Sequence, residues 1–257
     1  MKHQILSYLS FLLRATNQHG VHSPFMYQLL TQCFYDKKKY DAYKTLKNHR
    51  AALHSDSEKI EVTDFGAGSR VFKTNNRKVA DIARHAGITK KRQRLLFRLV
   101  QYFQPNSIVE LGTSLGMATT AMSLGNPNAT VKTVEGCPNT LAKATHYFSK
   151  YPLQDIQTYN QSFDSFFNEN TSEIYDFVFI DGNHNKEKTI AYFERLLNHI
   201  HNDSVLVFDD IYWNTAMTEA WQEIIKHPKV TVSIDTFQWG LVFFRKEQRK
   251  QHFSIRL

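Results

Sequence analysis

The sequence predicts an α/β fold of five parallel strands plus a terminal antiparallel hairpin, preceded by an N-terminal helical extension. Three observations lead there. Short β-rich runs alternate with helical stretches from Ser107 onward, the first of these runs ends in a glycine turn that opens directly into a helix, and the last two runs lie too close together for a crossover helix.

Taken in order, Ile5, Leu9, Leu12 and Leu13 recur at helical spacing, and in His22-Ser23-Pro24 the serine reads as an N-cap with proline at the first helical position. Residues 1–58 are therefore expected to form a helical extension that acts as a lid or brings two copies together as a homodimer. Residues 59–104 read as a connecting segment: a short strand from Ile60 to Thr63, the glycine loop Asp64-Phe65-Gly66-Ala67-Gly68-Ser69, and two helices. Thr89 caps the second helix, and Leu95, Leu96, Leu99, Val100 and Phe103 make its buried stripe. Residues 105–257 carry the parallel strands Ile108 to Leu111, Ala129 to Val134, Ile156 to Tyr159, Phe177 to Ile180 and Val205 to Phe208, then the hairpin of Val230 to Ile234 and Leu241 to Phe244. Ile190, Phe193, Leu197 and Ile200 mark one intervening helix face, and Met217, Trp221, Ile224 and Ile225 another.

Composition narrows the class. With 42% hydrophobic and 13% aromatic residues, the 257-residue chain can bury enough apolar surface to offset its ordering entropy, which excludes wholesale disorder. Cys33 and Cys137 are too few for a disulfide framework or a four-thiolate zinc site and point to a reducing cytoplasm. No run approaches the ~18 apolar residues of a membrane span. The apolar stretch from Tyr8 to Leu13 is interrupted by Ser10 and Arg14, with no small-residue cleavage site after it, so no membrane partner is expected. The net charge of +8, clustered at residues 37–39, 90–94 and 245–250, favours an anionic partner.

The chemistry starts at Glu110-Leu111-Gly112-Thr113-Ser114-Leu115-Gly116. A glycine turn between strand and helix lets a ligand approach the backbone, and about twenty residues on, the second strand ends in Glu135, placed to accept from a ribose diol. Dinucleotide sites want G-x-G-x-x-G to aim amides at a pyrophosphate. Here the central glycine is absent and Glu110 at the mouth of the loop would repel phosphate, while it suits a cationic ligand.

At these residues the sequence resembles the class I S-adenosylmethionine-dependent methyltransferases, over roughly residues 107–245, and within them the catechol-type small-molecule O-methyltransferases. The resemblance implies a Rossmann-like methyltransferase sheet. It implies that Glu110, Gly112, Thr113, Ser114 and Gly116 hold the methionine portion of S-adenosylmethionine and Glu135 the ribose hydroxyls, with Gly136 beside it, while Gln161-Ser162-Phe163 frame the adenine. Phe163 can equally be a helix core residue. Two features imitate functional motifs. The Asp64 to Ser69 loop has good glycine spacing but no second strand ending in an acid after it, and reads as a turn or a lid element. Cys137-Pro138 resembles the nucleophile dipeptide of cytosine C5-methylating enzymes but follows the second strand, where that family has it after the fourth.

Asp181 and His184 follow the fourth strand and Asp209-Asp210 the fifth, so three carboxylates at neighbouring strand ends must be protonated, hydrated or bridged by a cation. Oxygen-rich ligation of that kind suits Mg²⁺. In the catechol-type enzymes, acids at these places bind a divalent metal; this chain departs from them with Asp210 where asparagine is usual and His184 where lysine is. Asp181, Asp209 and Asp210 are the expected metal ligands. Asp181 is also expected to touch the cofactor and to act with His184, whose imidazole can take a proton from the methyl acceptor. Asp209 and Asp210 could instead cap the next helix, and His184 could be a solvent-facing loop residue. The expected activity is O-methylation of a small-molecule hydroxyl. The alternatives are a tRNA or RNA methyltransferase, suggested by Lys90, Lys91, Arg92 and Arg94 at a helix start where they oppose the dipole, and a non-catalytic nucleoside-binding protein. Nucleic acid is the less favoured partner; the Asn/Asp-Pro-Pro-aromatic motif of amino-methylating nucleic-acid enzymes is absent after the fourth strand, which argues against amine methylation of bases and leaves ribose or tRNA hydroxyls open.

Overall fold

The computed structural model describes residues 2–63 and 72–257; the glycine loop from Asp64 to Ser69 lies outside the described residues. In chain order the first half holds α1 (Lys2–Arg14), α2 (Pro24–Leu29), α3 (Ala42–Ser55), β1 (Lys59–Glu61), β2 (Asn76–Lys78), α4 (Val79–His85), α5 (Lys90–Phe103), β3 (Ser107–Leu111) and α6 (Met117–Gly125). The remainder is β4 (Thr130–Val134), α7 (Pro138–Phe148), β5 (Ile156–Tyr159), α8 (Phe163–Glu169), β6 (Phe177–Ile180), α9 (Lys186–Leu196), β7 (Val205–Asp209), α10 (Thr215–Lys226), β8 (Val232–Asp235), β9 (Trp239–Phe243) and β10 (Gln251–Ser254). The strand and helix alternation of a Rossmann-like fold is present from β3 onward. Two compact units share the chain, one of residues 36–170 and the other joining 1–35 to 171–257.

In the unit of residues 36–170, β3, β4 and β5 pair in parallel, with Glu110 opposite Thr133 and Val134 opposite Tyr159. Ile108 to Leu111 are buried without alternation, the pattern of a parallel strand covered on both faces. One cover is α5, where Thr89 caps as expected, its hydroxyl accepting from Arg92 N at 3.3 Å. Leu95, Leu96, Leu99 and Val100 are buried together with Phe97. Phe103 is only half-buried, contrary to its expected place in the stripe, because the helix stops there and Gln104 turns left-handed at φ 47°. The short strand at Ile60 pairs antiparallel with β2, a partner whose Asn-Arg-Lys sequence carries no β signal. Gly112 and Gly116 both adopt left-handed backbone, at φ 106° and 75°. At Gly116 space is also decisive, since a β-carbon there would sit 2.2 Å from the Phe148 ring.

In the other unit, β6 and β7 are parallel, β9 is antiparallel to both β7 and β8, and β10 runs parallel to β8. The hairpin is present at β8 and β9. The sequence reading missed β10, whose Gln251 and His252 are exposed at the sheet edge and so show no apolar alternation. The end of the chain is tied to its beginning, with Thr16 N donating to Ser254 O at 2.9 Å and Arg256 N to Thr16 O at 3.1 Å. Ser23 caps α2 with Pro24 at the first position, as expected. The helix α1 also forms: Phe11 is its only buried side chain among the described residues, Leu12 is half-buried, and Ile5, Leu9 and Leu13 are exposed. Among the described residues no helix is long and apolar enough to cross a membrane.

Gly116→Ala adds left-handed strain to the clash with Phe148, and unfolding in urea should show a loss of about 2 to 4 kcal/mol. A loss below about 0.5 kcal/mol would mean that the loop can rearrange freely.

Candidate active site

Glu110 is fully buried at the end of β3. Its Oε2 accepts hydroxyls from Thr119 on α6 and Thr133 on β4, both at 2.5 Å, and the Thr133 oxygen lies 2.5 Å from that of Thr113 in the loop. The second oxygen, Oε1, is buried with no hydrogen-bond partner. Burial pushes the carboxyl from 4.5 up to about 8, and the nearby charge of Glu135 adds to the shift. Glu110 is therefore largely a neutral acid at pH 7 until a cation comes to it. An unpartnered buried carboxyl oxygen at the mouth of a left-handed glycine turn fits the ammonium or sulfonium of S-adenosylmethionine.

Glu135 closes the loop from β4. Its Oε2 accepts from Ser114 N and its Oε1 from Cys137 N, both at 2.9 Å. Ser114 sits at φ 48°, so this bond holds a strained backbone in place. Asn160, absent from the sequence reading, donates to the carbonyls of Glu135 at 2.9 Å and Gly136 at 3.2 Å and so ties the end of β5 to the end of β4. Of the three residues expected at the adenine, Ser162 caps α8 by accepting from Ser165 N at 3.1 Å. Phe163 is half-buried at the start of that helix, whose core residues are Phe166 and Phe167. Gln161 carries a buried amide nitrogen without a hydrogen-bond partner, a donor suited to a purine nitrogen. Thr113 is 2% exposed and its hydroxyl points into the threonine network, which makes it a brace for the loop. Cys137 is buried, with its sulfur 3.3 Å from Thr63 N and 3.7 Å from Glu61 O; it anchors β1 and has no nucleophile's access.

The acidic rim belongs to the other unit. The register of β6 and β7 pairs Ile180 with Phe208, so Asp181 and Asp209 follow at neighbouring strand ends. His184 Nε2 lies 3.8 Å from Asp181 Oδ1, and its ring packs at 5.7 Å from that of Trp213. Asn183 and His184 are both left-handed, at φ 64° and 38°, a strained pair pinned by the Asn183 amide donating to Tyr192 OH at 2.9 Å. Asp209 is buried and its Oδ1 accepts from Asp210 N at 2.8 Å, while Asp210 is left-handed at φ 51°. Among the described residues no group of three or more His, Cys, Asp or Glu side chains is gathered to hold a metal ion. Asp181, Asp209 and Asp210 are not gathered into such a group here, and the Asp209 carboxylate is engaged with the amide of its neighbour. Nor do these two acids cap α10, whose N-cap is Asn214.

Residues 109–211 match a family profile described as a methyltransferase domain. No curated protein matches the chain in sequence. The fold is similar to that of the O-methyltransferase from Bacillus cereus in complex with SAH, with a TM-score of 0.54 at 18% identity over 81% of this chain and 93% of that one. It is also similar to the SAH-bound Podospora anserina methyltransferase PaMTH1, with a TM-score of 0.57 at 14% identity over 82% of this chain and 99% of that one. The O-methyltransferase TomG from Streptomyces achromogenes, involved in tomaymycin synthesis and in complex with SAM, gives 0.56 at 14% identity over 86% of this chain and 95% of that one. Residues 109–211 thus carry the profile of a methyltransferase domain, on a fold like that of these methyltransferases.

Between pH 4.5 and about 8 the folded protein keeps a proton on Glu110 that the unfolded chain has released, so this group removes stability as pH rises through that window, at about 1.4 kcal/mol per unit. Glu110→Gln should unfold at nearly the wild-type urea midpoint near pH 4.5 and at a higher one above pH 8. A gap between the two that does not change with pH contradicts the assignment.

Proposed function

We propose that the protein methylates the hydroxyl oxygen of a small molecule, with S-adenosylmethionine as donor, in a reducing cytoplasm. The observation that carries the cofactor half is the open Oε1 of buried Glu110 at the glycine turn. Glu110 would face the cationic end of the cofactor, the backbone at Gly112 and Ser114 its methionine portion, Glu135 the ribose diol and the Gln161 amide the adenine. The bound cofactor supplies an electrophilic methyl group on a sulfonium, so the protein need offer no nucleophile and positioning carries most of the acceleration.

On the acceptor side His184 takes the proton from the hydroxyl as its oxygen gains the methyl group. Asp181, 3.8 Å from Nε2, holds the ring's orientation and compensates the positive charge that the proton brings. The Trp213 ring beside His184 favours a flat, partly apolar acceptor. No step is drawn through Mg²⁺, since Asp181, Asp209 and Asp210 are not gathered into a group that could hold it. The choice of a small acceptor is supported at α5, where one of the four cations serves packing: Arg94 lies 4.5 Å above the Tyr43 ring.

Calorimetry should show S-adenosylmethionine binding weakened by about 1 to 3 kcal/mol in Glu135→Ala; an unchanged affinity in the folded variant would sink the cofactor assignment. His184→Ala should lower turnover by roughly 10² to 10⁴-fold at neutral pH, with a smaller deficit at high pH where the acceptor ionises by itself. Wild-type turnover in that variant, with chemistry rate-limiting, would leave positioning alone as the source of catalysis. Turnover in excess chelator should stay within about twofold of the untreated rate; a collapse restored by Mg²⁺ would show that Asp181, Asp209 and Asp210 regroup around a metal.

A further inference from the structure

The face of α1 that the protein leaves to solvent is a continuous apolar stripe. Ile5, Leu6, Leu9 and Leu13 fall on one side of the helix at spacings of three and four, with 59%, 67%, 54% and 90% of their surfaces exposed. The opposite side is fastened down. His3 Nε2 is 3.0 Å from the Thr218 hydroxyl, Phe11 is buried, and Tyr8 and Phe11 pack on Phe237 at 4.8 and 5.7 Å between ring centroids. The stripe is therefore a fixed surface of the folded protein. Apolar exposure of this kind on one helix marks a contact.

Charge and size decide what covers it. Residues 2–35 contain no aspartate or glutamate, and Lys2 and Arg14 stand at the two ends of the helix. The tail tied to this segment through Thr16 adds Arg256 and, before it, Arg249 and Lys250. A second copy meeting this face with its own would set cation against cation. Four side chains on a 13-residue helix also fall well short of the ~20 to 30 residues per side of a stable protein interface. An amphipathic helix of this length with cationic flanks does suit shallow, reversible insertion at an anionic bilayer surface. We propose that α1 docks the protein on an anionic lipid surface, its leucine stripe entering the headgroup boundary while the cations meet the lipid phosphates.

Flotation of the full chain with phosphatidylcholine vesicles, with and without phosphatidylglycerol, tests this. The wild-type protein should float with the anionic vesicles, lose contact as salt is raised, and remain free with phosphatidylcholine alone. The double variant Leu6→Glu/Leu9→Glu should bind at least about tenfold less while keeping the wild-type unfolding temperature, since both positions are exposed. Leu13→Glu, at the most exposed position, gives the same reading should the double variant misfold. Absence of the wild type from anionic vesicles at low salt overturns the proposal, as does binding that persists in the variants. A dimer in sedimentation equilibrium that the variants dissociate would assign the stripe to a second copy.

Discussion

One carboxyl group, held entirely out of water, joins the parts of the cofactor half. Glu110 leaves β3, Thr133 comes from β4, Thr119 from α6 and Thr113 from the intervening loop, and their oxygens meet within 2.5 Å contacts. An ionised carboxylate in that place would be expensive to desolvate; as a neutral acid it is tolerated, and the two donated hydroxyls satisfy one oxygen only. The asymmetry is what makes the site responsive. The satisfied oxygen is structural and the other is left without a partner. Since the same group ties strands to helix, a ligand that draws off its proton acts on the framework as well as on the pocket.

Much of this was visible in the sequence, and the gaps have physical causes. Strands buried on both faces, such as Phe177 to Ile180, announce themselves as apolar runs. Glu110 and Glu135 were legible as acids that end adjacent strands beside a glycine turn. The threonines around Glu110 were not, since a hydroxyl has no distinctive pattern until pairing is known. The clue was the register, which sets Thr133 directly opposite Glu110. Edge elements escaped for the opposite reason, as β2 and β10 bury too little to impose alternation. Periodicity in α1 revealed the helix but not which side of it faces the protein, because an apolar stripe looks the same whether it meets a core or lies open to solvent.

The acidic rim shows how far residue type can mislead. Three aspartates at adjacent strand ends invite a metal, yet side-chain direction depends on backbone torsions that a sequence does not display. Asn183, His184 and Asp210, close in the chain to Asp181 and Asp209, all have left-handed backbone. Those torsions are unfavourable for residues with a β-carbon, and the Asn183 to Tyr192 bond shows one of the contacts that sustain them. A rim built this way presents His184 with a defined orientation.

The arrangement of the two units also sets a timetable for assembly. Residues 36–170 are contiguous and can collapse as soon as they leave the ribosome, whereas the first 35 residues belong with residues 171–257. At the roughly 5 to 20 residues per second of translation, the opening helices wait on the order of 10 s for late partners such as Phe243, on which Phe25 packs, and Ile255, which pairs with Thr16. During that interval their apolar side chains have no native partner. A segment in that state is exposed to aggregation until the later strands emerge.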